Sequence, residues 1–594
     1  MKLVVLCIGE LRELDTRIVR LAEFLGVPCE TIALANVAEH VELQERNVSD
    51  QRSCFVVTAQ TMEEWVGSDG LSAELVTFLL SRFTHLVVHG LRVDSFDSKL
   101  VRALSDGRLN AVEANDGESL NYEIDKDSRD ICGAFAGLSF GPVNPANDHV
   151  LSLASCDQKV RQLISIGGQP FMALVKTEGA EVIFVASESI ADIGAEVGDA
   201  PMTAYFSKFV PQVMALRYAA GDECWRPSNA YASIIIDDPL LKEHYGFLEF
   251  DSLLRLTKEH TCHCTIAFIP HNFSRNSARI ISMFCDNAAE LSICFHGNDH
   301  TQGEFASTDR SHLNALLRVA EDRMGMHRKR TGLTCDKVMV FPQGGFSVEA
   351  MEVLKVHDFY ASVNTIPYPA QSAMHLTIAD LAQPAVLRYG GFPLFIRKPA
   401  RQLQEPEVAF EVFFGRPVLI VTHHDAFEHP EQLIDAVTRI SSVAPEVEWC
   451  NLAAIVSNSS LKRLGRDGMQ HVRAFSGTTQ IFNASESIQR YSIEWDSSFD
   501  GTEVEAVAID GTPCRDFEVS EAGIRITAEL VPGASQTFSL IHRKDQSPAI
   551  DLGVRWKLKA FLRRRLSEFR DNYLSKSPRA LEAAKAFQRR FLRV

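Results

Sequence analysis

Short apolar segments alternate with segments of helical periodicity between residues 226 and 462. Seven apolar segments lack regular polar alternation, which is typical of strands buried on both faces of a parallel sheet. They are Ser233–Ile236, Cys264–Ile269, Leu291–Phe295, Val338–Phe341, Phe359–Val363, Ala385–Tyr389 and Val418–Thr422. Helices are predicted between them at Phe250–Glu259, Ser277–Ala289, Ser311–Arg328, Val348–His357 and Glu431–Ser442. Residues 226–462 are therefore predicted to form a deformed (β/α)7-type barrel.

The preceding residues, 1–225, show a similar alternation. Strands are predicted at Leu3–Ile8, Cys29–Leu34, Cys54–Thr58, His85–His89 and Val182–Ala186, and a helix at Arg12–Leu25. This pattern predicts an open α/β domain of flavodoxin-like or amidotransferase-like shape. The domain contains no Gly-x-Gly-x-x-Gly, no phosphate-binding Gly-Lys-Ser/Thr and no nucleophile elbow, so no chemistry is assigned to it. A scaffolding or substrate-orienting role is the simplest interpretation.

The C-terminal part of the chain changes character twice. Residues 463–548 contain short strand-like segments separated by turn residues, which predicts a β-sandwich that either binds glycan or covers the barrel. Residues 549–594 predict a basic amphipathic helical tail that is broken at Pro578. Its apolar face either docks on an anionic membrane surface or packs against the acidic body of the protein. That face comprises Leu558, Phe561, Leu562, Leu566, Phe569 and Tyr573.

Charge and composition narrow the class of protein. The chain has 594 residues, of which 46% are hydrophobic and 23% charged, as in folded soluble proteins. The net charge is −17, but residues 555–594 have 13 Lys and Arg against 3 Asp and Glu, so this tail carries +10 and the rest −27. The acidic body argues against nucleic acid as the main partner.

Cysteine usage and the start of the chain bear on its location. The 13 cysteines are scattered, odd in number and without a Cys-x-x-Cys pair, which indicates reduced thiols. The apolar segment at residues 3–8 is too short for a secretory signal. These features predict a cytoplasmic protein, with peripheral membrane association through the basic tail as a further possibility.

Polar side chains follow four of the predicted barrel strands. Asp237-Asp238-Pro follows the first strand, His296-Gly-Asn-Asp-His300 the third, Pro342-Gln-Gly the fourth and His423-His424-Asp the last. In parallel barrels the catalytic residues lie at the C-terminal ends of the strands. One aspartate and two histidines form a ligand set for a divalent metal that keeps a position open for water. A second carboxylate and further imidazoles supply proton transfer, so the pattern predicts a metal-dependent hydrolase.

These motifs, in this order, resemble the polysaccharide deacetylase family, carbohydrate esterase family 4. The resemblance implies that Asp237 is the general base and that Asp238, His296 and His300 bind the metal, with zinc expected and cobalt, nickel or manganese as alternatives. His423 or His424 would be the general acid, and the sequence does not choose between them. The implied substrate is an N-acetylated sugar or glycan, in the setting of surface-polysaccharide biosynthesis, and the implied enzyme class is a hydrolase of non-peptide carbon–nitrogen bonds.

The chain also departs from the family pattern. The third motif carries Val340 where the family has an arginine that orients the base, and Arg388 or Arg397 is a possible substitute. No tryptophan occurs between Trp225 and Trp449, although the family has one at the active site. These departures keep a second hypothesis open, namely a catalytically inactive protein that binds glycan or a partner, and a third, an ester hydrolase.

Overall fold

The computed structural model describes residues 2–7, 10–33, 53–66, 71–115, 117, 120–154, 158–198, 200–371, 375–543 and 553–574. The chain divides into two compact units. The first comprises Met1–Arg226, Leu376–Ala379 and Arg463–Asp467, and the second comprises Pro227–His375, Asp380–Lys462 and Gly468–Val594. The four domain boundaries predicted from the sequence stay predictions.

The first unit is built around a nine-stranded mixed sheet in the order β2-β1-β3-β4-β11-β10-β9-β6-β7. Strands β2, β1, β3, β4 and β11 are parallel to one another, and β10, β9, β6 and β7 continue the sheet with antiparallel pairing from β11 onwards. The strands of the whole unit within residues 1–226, including three outside this sheet, are β1 (Lys2–Cys7), β2 (Cys29–Ala33), β3 (Ser53–Thr58), β4 (His85–His89), β5 (Leu109–Glu113), β6 (Tyr122–Ile124), β7 (Ser139–Phe140), β8 (Val150–Leu153), β9 (Val160–Ile166), β10 (Gln169–Lys176), β11 (Glu181–Val185) and β12 (Glu196–Val197). Its helices are α1 (Glu13–Phe24), α2 (Ala59–Val66), α3 (Ala73–Arg82), α4 (Ser95–Leu104), α5 (Arg129–Cys132) and α6 (Phe206–Ala220).

The five strands and the helix predicted for this unit are present, displaced by at most one residue at either end. The parallel strands are buried and rich in Val, Leu and Ile, as expected for a sheet covered on both faces. The flavodoxin-like or amidotransferase-like shape stays a prediction.

The remaining elements follow along residues 226–574. The strands are β13 (Arg226–Pro227), β14 (Tyr231–Asp237), β15 (His244–Tyr245), β16 (Leu248–Glu249), β17 (Cys264–Phe268), β18 (Leu291–His296), β19 (Asp336–Val340), β20 (Ala361–Asn364), β21 (Leu376–Thr377), β22 (Leu394–Pro399), β23 (Val418–Thr422), β24 (Glu448–Trp449), β25 (Ser460–Leu464), β26 (Gln470–Ala474), β27 (Thr478–Phe482), β28 (Gln489–Asp496), β29 (Val504–Ile509), β30 (Thr512–Cys514), β31 (Glu518–Ser520), β32 (Gly523–Leu530) and β33 (Ser535–His542). The helices are α7 (Phe250–Glu259), α8 (Ala278–Asp286), α9 (Arg310–Thr331), α10 (Val348–Val356), α11 (Ile378–Leu381), α12 (Glu405–Phe413), α13 (Glu431–Val443), α14 (Leu452–Asn458) and α15 (Gly553–Phe569).

Seven parallel strands of the second unit close into a barrel. The order is β17-β18-β19-β20-β22-β23-β14, and β14 also pairs with β17, so the ring has no open edge. Every residue of β14, β17 and β23 is buried, which explains why these segments are apolar throughout rather than alternating. The predicted seven-stranded barrel is confirmed.

The sixth strand of the barrel was predicted in the wrong place. It is β22, Leu394–Pro399, and not Ala385–Tyr389. Four of the five residues of Ala385–Tyr389 are buried, all but Arg388, but the segment pairs with β22 only through an isolated antiparallel bridge between Val386 and Leu394. A turn at Gly390 and Gly391, both with positive φ, reverses the chain between the two segments. The charged residues of β22 conceal its burial in the sequence, because Arg397 is 4% exposed and has a partner inside the barrel.

Beyond the barrel, two antiparallel groupings of strands lie within residues 478–542, and β26 pairs with β28 in parallel. Strands β28, β31 and β32 belong to one sheet, and β27, β29, β30 and β33 form another. The tail helix α15 continues into a π-helical turn, Arg570–Leu574. The second tail helix predicted after Pro578 lies outside the described residues. Among the described helices, none combines the length and the apolar character needed to span a bilayer.

Candidate metal centre and active site

The three predicted metal ligands converge at the mouth of the barrel. The Asp238 Oδ1 atom lies 3.7 Å from His296 Nε2 and 3.3 Å from His300 Nε2. Ligand atoms about 2.0–2.2 Å from one zinc ion are separated by roughly such distances in a tetrahedral site. Asp238 Oδ1 is buried and has no hydrogen-bond partner among the described residues. A buried carboxylate oxygen that faces two imidazole nitrogens fits a divalent cation.

The backbone at the end of β14 allows two adjacent carboxylates to serve one site. Consecutive side chains of a strand point to opposite faces. Asp238 leaves the strand conformation with a φ of 82°, and its N–H donates to the Ala267 carbonyl at 3.3 Å. A non-glycine residue in this region costs of the order of 1–3 kcal/mol and persists only where surrounding contacts hold it. This conformation places Asp238 beside the histidines while Asp237 remains in the barrel.

His296 has its ring orientation set by the neighbouring strand. The His296 Nδ1 atom lies 3.0 Å from the Val340 carbonyl oxygen. Because a carbonyl only accepts, Nδ1 donates and Nε2 keeps its lone pair for a metal. Burial lowers the pKa of His296 to about 4, although Asp237 acts in the opposite direction. The neutral imidazole is the form that ligates.

His300 lies on a loop that is held by a carboxylate not identified in the sequence analysis. Glu304 accepts hydrogen bonds from the backbone N–H groups of Asn298 (3.1 Å), Asp299 (2.8 Å) and His300 (3.1 Å). Burial and the nearby Asp299 raise the pKa of Glu304 to about 7, although the three hydrogen bonds act to lower it. An acidic residue four positions after His300 was the available sequence signal. Glu304 therefore fixes the loop from which His300 projects.

Asp237, the predicted base, forms a buried ion pair with Arg397. The guanidinium donates two parallel hydrogen bonds, both 2.6 Å long, to the two carboxylate oxygens. Burial raises the pKa of Asp237, but Arg397, His296 and His423 together outweigh this effect, and the pKa lies below its ordinary value. Of the two suggested substitutes for the arginine missing at Val340, Arg397 is the one that pairs with Asp237. The other suggested substitute, Arg388, pairs with Asp380 instead.

His423 and His424, the two histidines that follow the last barrel strand, lie near different carboxylates. His423 Nε2 lies 3.9 Å from Asp237 Oδ2, and its side chain is 54% exposed. His424 packs edge-on against Tyr245, with ring centroids 5.4 Å apart, and its Nε2 lies 4.0 Å from Asp571 Oδ1. Burial lowers the pKa of His424, although Asp571 acts in the opposite direction. The structure therefore distinguishes two residues that the sequence left equivalent.

A glycine makes room for His424. At Gly246, which has a φ of 60°, an added Cβ would lie 2.2 Å from His424 Nδ1. Any larger residue there would displace the imidazole ring.

The third motif and Asn364 have structural roles beside the site. An added Cβ at Gly297, between His296 and His300, would lie 2.3 Å from Pro342, so the second and third motifs are packed together. The Asn364 side-chain amide donates to the carbonyls of Gly344 and Ile366, both at 2.9 Å. These contacts hold the loop after β19 against β20.

Known proteins that resemble this chain do so in structure and at low sequence identity. No family model and no curated protein matches the sequence. The solved structure of Agd3, described as a novel carbohydrate deacetylase, is similar at 9% identity and a TM-score of 0.48, with 91% of this chain and 98% of that chain covered. A family 4 carbohydrate esterase from Streptomyces lividans in complex with acetate matches 37% of this chain and 92% of its own, at 12% identity and a TM-score of 0.24.

A third similar structure is a family 4 acetyl xylan esterase from Clostridium thermocellum in complex with a cobalt ion. It matches 38% of this chain and 89% of its own, at 15% identity and a TM-score of 0.24. The structures that this chain resembles thus include family 4 carbohydrate esterases. At TM-scores below 0.5 these likenesses do not establish an activity, which has to be inferred from the site itself.

Proposed function

We propose that this protein is a metal-dependent hydrolase that removes the N-acetyl group from a sugar or glycan. The observation that carries the proposal is the convergence of Asp238, His296 and His300 beside a base, Asp237, that is held by Arg397. Asp238, His296 and His300 would hold the ion. Zinc is the expected ion, with cobalt, nickel or manganese as alternatives, and when bound it would acidify a water molecule and polarise the acyl carbonyl.

Asp237 would take the proton of the attacking water. Arg397 keeps the Asp237 carboxylate ionised at neutral pH, because the paired guanidinium stabilises the charged form. The fork of two hydrogen bonds also fixes the carboxylate plane, so the remaining lone pairs have a defined direction. General base catalysis of this kind contributes about 10²–10⁴ in rate.

His423 would protonate the leaving nitrogen. It follows Thr422, which pairs with Ile236, so His423 and Asp237 are adjacent on neighbouring strands and project to the same face. Its imidazole is exposed enough to meet a substrate, whereas His424 is 12% exposed and packed against Tyr245. An amine leaves only when protonated, so we expect His423→Ala to impair amide cleavage more than ester cleavage.

The alternative of an inactive binding protein loses one of its two motivations. That hypothesis was motivated by the missing arginine at Val340 and by the absent tryptophan, and Arg397 supplies a guanidinium to Asp237 from another strand.

The decisive experiment measures acetate release from N-acetylated oligosaccharides by the zinc-loaded protein. We expect release by the wild type and a loss of about 10²–10⁴-fold in Asp237→Asn. Metal content, measured by elemental analysis, should be unchanged in this variant because Asp237 is not a ligand. Full activity of Asp237→Asn, or no stoichiometric metal in the wild type after zinc loading, would rule out the proposed chemistry.

The outward face of α15 supports peripheral membrane association as part of the proposal. Five large apolar side chains of this helix are 45–67% exposed: Leu558, Phe561, Leu562, Leu566 and Phe569. Arg570 is also half-exposed on the π-helical turn. Exposed apolar side chains on a tail of net charge +10 match an anionic lipid surface. A glycan held at a membrane is then the expected substrate; the cytoplasmic location stays a prediction.

Co-sedimentation with vesicles tests this association. We expect binding to vesicles that contain anionic lipid and weak binding to neutral vesicles, with loss of binding in Leu562→Glu/Leu566→Glu. Equal recovery of the wild type and this double variant would contradict the membrane proposal and leave the hydrolase proposal intact.

A further inference from the structure

The tail helix has an inward face that contacts the barrel. Ala560, Arg564 and Asp571 are 1–3% exposed, in contrast to the outward apolar side chains. Glu568 accepts hydrogen bonds of 2.6 and 2.7 Å from Arg275, and Asn572 accepts one of 2.9 Å from the Gly246 N–H. Several independent polar contacts therefore fix this helix at the mouth of the barrel.

Arg564 contacts the backbone of a predicted metal ligand. Its Nη2 donates to the Asp238 carbonyl at 3.2 Å and to the Tyr245 hydroxyl at 3.3 Å. Asp238 is the residue whose positive φ lets its carboxylate face His296 and His300. The guanidinium thus bonds to the main chain at the point where an unfavourable conformation has to be maintained.

Arg564 does not replace the histidines as the partner of Asp238. Its Nη1 lies 3.8 Å from Asp238 Oδ1, beyond hydrogen-bond distance, whereas His300 Nε2 lies at 3.3 Å. A helix that blocked the site would place its cation against the ligand oxygen. Here the three ligand atoms are assembled while Arg564 is bonded to the neighbouring carbonyl.

Asp571 makes a second connection from the tail to the site. The Tyr245 hydroxyl donates to Asp571 Oδ2 at 2.9 Å, and Asp571 Oδ1 lies 4.0 Å from His424 Nε2. Tyr245, fully buried, therefore joins both tail residues and also packs against the His424 ring. Arg564, Tyr245 and Asp571 form one connected group beside the ligands.

We propose that the C-terminal helix is a structural part of the active site, with Arg564 as the positioning residue for Asp238 and Asp571 as the positioning residue for Tyr245 and His424. The catalytic unit therefore extends from Asp237 to Asp571 and includes the tail. The expected effect on turnover rests on the proposed hydrolysis. The expected effect on the arrangement of the metal ligands does not depend on which reaction the protein catalyses.

The test uses the full-length protein loaded with Co²⁺ and compares Arg564→Ala with Arg565→Ala. Arg565 is the matched control, because it is the adjacent arginine of the same helix and its side chain is 53% exposed. The visible absorption of bound Co²⁺ reports the arrangement of its ligands. We expect the band positions or intensities to change in Arg564→Ala and to match the wild type in Arg565→Ala.

Acetate release is the second readout. We expect Arg564→Ala to lose about 10–100-fold in kcat, as is typical for residues that orient metal ligands, with Arg565→Ala unchanged. The cobalt dissociation constant is a poorer readout, because removal of a cation favours a bound dication while loss of the hydrogen bond disfavours it. Melting temperatures of both variants identify any general loss of folding.

The outcomes separate this proposal from the proposed function. Unchanged cobalt bands and unchanged turnover in Arg564→Ala would overturn the positioning role, and increased turnover would show that the helix obstructs the site. If the wild type released no acetate, the hydrolase proposal would fail, while the cobalt spectra would still decide whether Arg564 positions Asp238. Asp571→Asn, which keeps the size of the side chain, provides the corresponding test at Tyr245 and His424.

Discussion

Both units have buried polar residues near the ends of parallel strands, but the hydrogen bonding of these residues differs. In the first unit, Asp15 on α1 accepts hydrogen bonds from the hydroxyls of Thr58 and Thr61 at 3.3 and 3.1 Å, so its two oxygens are both used. In the second unit, Asp238 Oδ1 has no hydrogen-bond donor among the described residues and faces two imidazoles. A buried polar cluster is therefore not evidence of a site when its members satisfy one another.

The buried histidines differ in their surroundings: neither ring nitrogen of His89 has a hydrogen-bond partner or a ligating side chain beside it among the described residues. His89, at the end of β4, is fully buried, and burial lowers its pKa to about 3. His296 is equally buried, but its Nδ1 has a carbonyl acceptor and its Nε2 faces the carboxylate of Asp238. Within the part of the chain that the structure describes, the cluster of Asp238, His296 and His300 is the one group of three ligating side chains close enough to hold an ion. The comparison indicates that unsatisfied, convergent ligand atoms mark the functional unit.

The largest effect should come from removing a ligand. We expect Asp238→Asn to lose its bound zinc and to reduce acetate release to background, since an amide oxygen is a much weaker zinc ligand than a carboxylate. The control in the other unit is Asp15→Asn, for which we expect wild-type metal content and turnover. Elemental analysis and acetate release are measured together, and retained metal in Asp238→Asn would contradict the ligand assignment.

The next effect should come from Arg397→Ala, which leaves a buried carboxylate without its partner. Removing one member of such a pair costs about 3–5 kcal/mol of folding free energy, and the pKa of Asp237 should rise because the guanidinium no longer opposes desolvation. We expect turnover to fall by about 10–100-fold, as for other orienting partners. Urea unfolding and acetate release check both parts. Arg388→Ala, which breaks a pair away from Asp237, is the control, and an equal loss in both variants would remove Arg397 from its assigned role.

A smaller effect is expected from Glu304→Gln. The glutamine oxygen still accepts some of the three N–H bonds, but the amide nitrogen that replaces the other oxygen cannot accept, so the loop that carries His300 is held less well. We expect zinc affinity to weaken by about 10-fold, measured by competition with a chelating dye. A substitution at an exposed acidic residue of the same unit, Glu249→Gln, should leave the affinity unchanged. An unaltered affinity in Glu304→Gln would show that the loop holds its conformation without this carboxylate.

The smallest effect on activity, and a clear effect on stability, is expected at His89. Because its folded-state pKa lies below the unfolded value, the fold favours the neutral ring, and stability present above about pH 6.5 is lost as the pH falls towards 3. His89→Leu should reduce the loss of unfolding free energy between pH 7 and pH 5 by about 2 kcal/mol. Urea titrations at both pH values measure this difference, with the exposed His244→Leu as control. Identical pH dependence in wild type and His89→Leu would contradict it.

The sequence predicted much of the barrel and the residues at its mouth, for identifiable reasons. Uninterrupted apolar segments such as Val418–Thr422 report burial on both faces, and polar residues directly after them report the strand ends. The prediction of the sixth strand was wrong because a charged residue such as Arg397 is expected at the surface. Only its pairing with Asp237 in the structure explains why it is buried. Glu304 was missed because accepting N–H bonds from a loop leaves no periodic pattern.

What the sequence determined by itself is the order of strands and the types of side chain at their ends, because periodicity and motif spacing are local properties. Which of these side chains share one site was decided by the closed barrel. The Arg397–Asp237 pair joins residues 160 positions apart, and the Arg564 contact with Asp238 joins residues 326 positions apart. Such contacts depend on how remote segments pack, and local sequence carries no record of them.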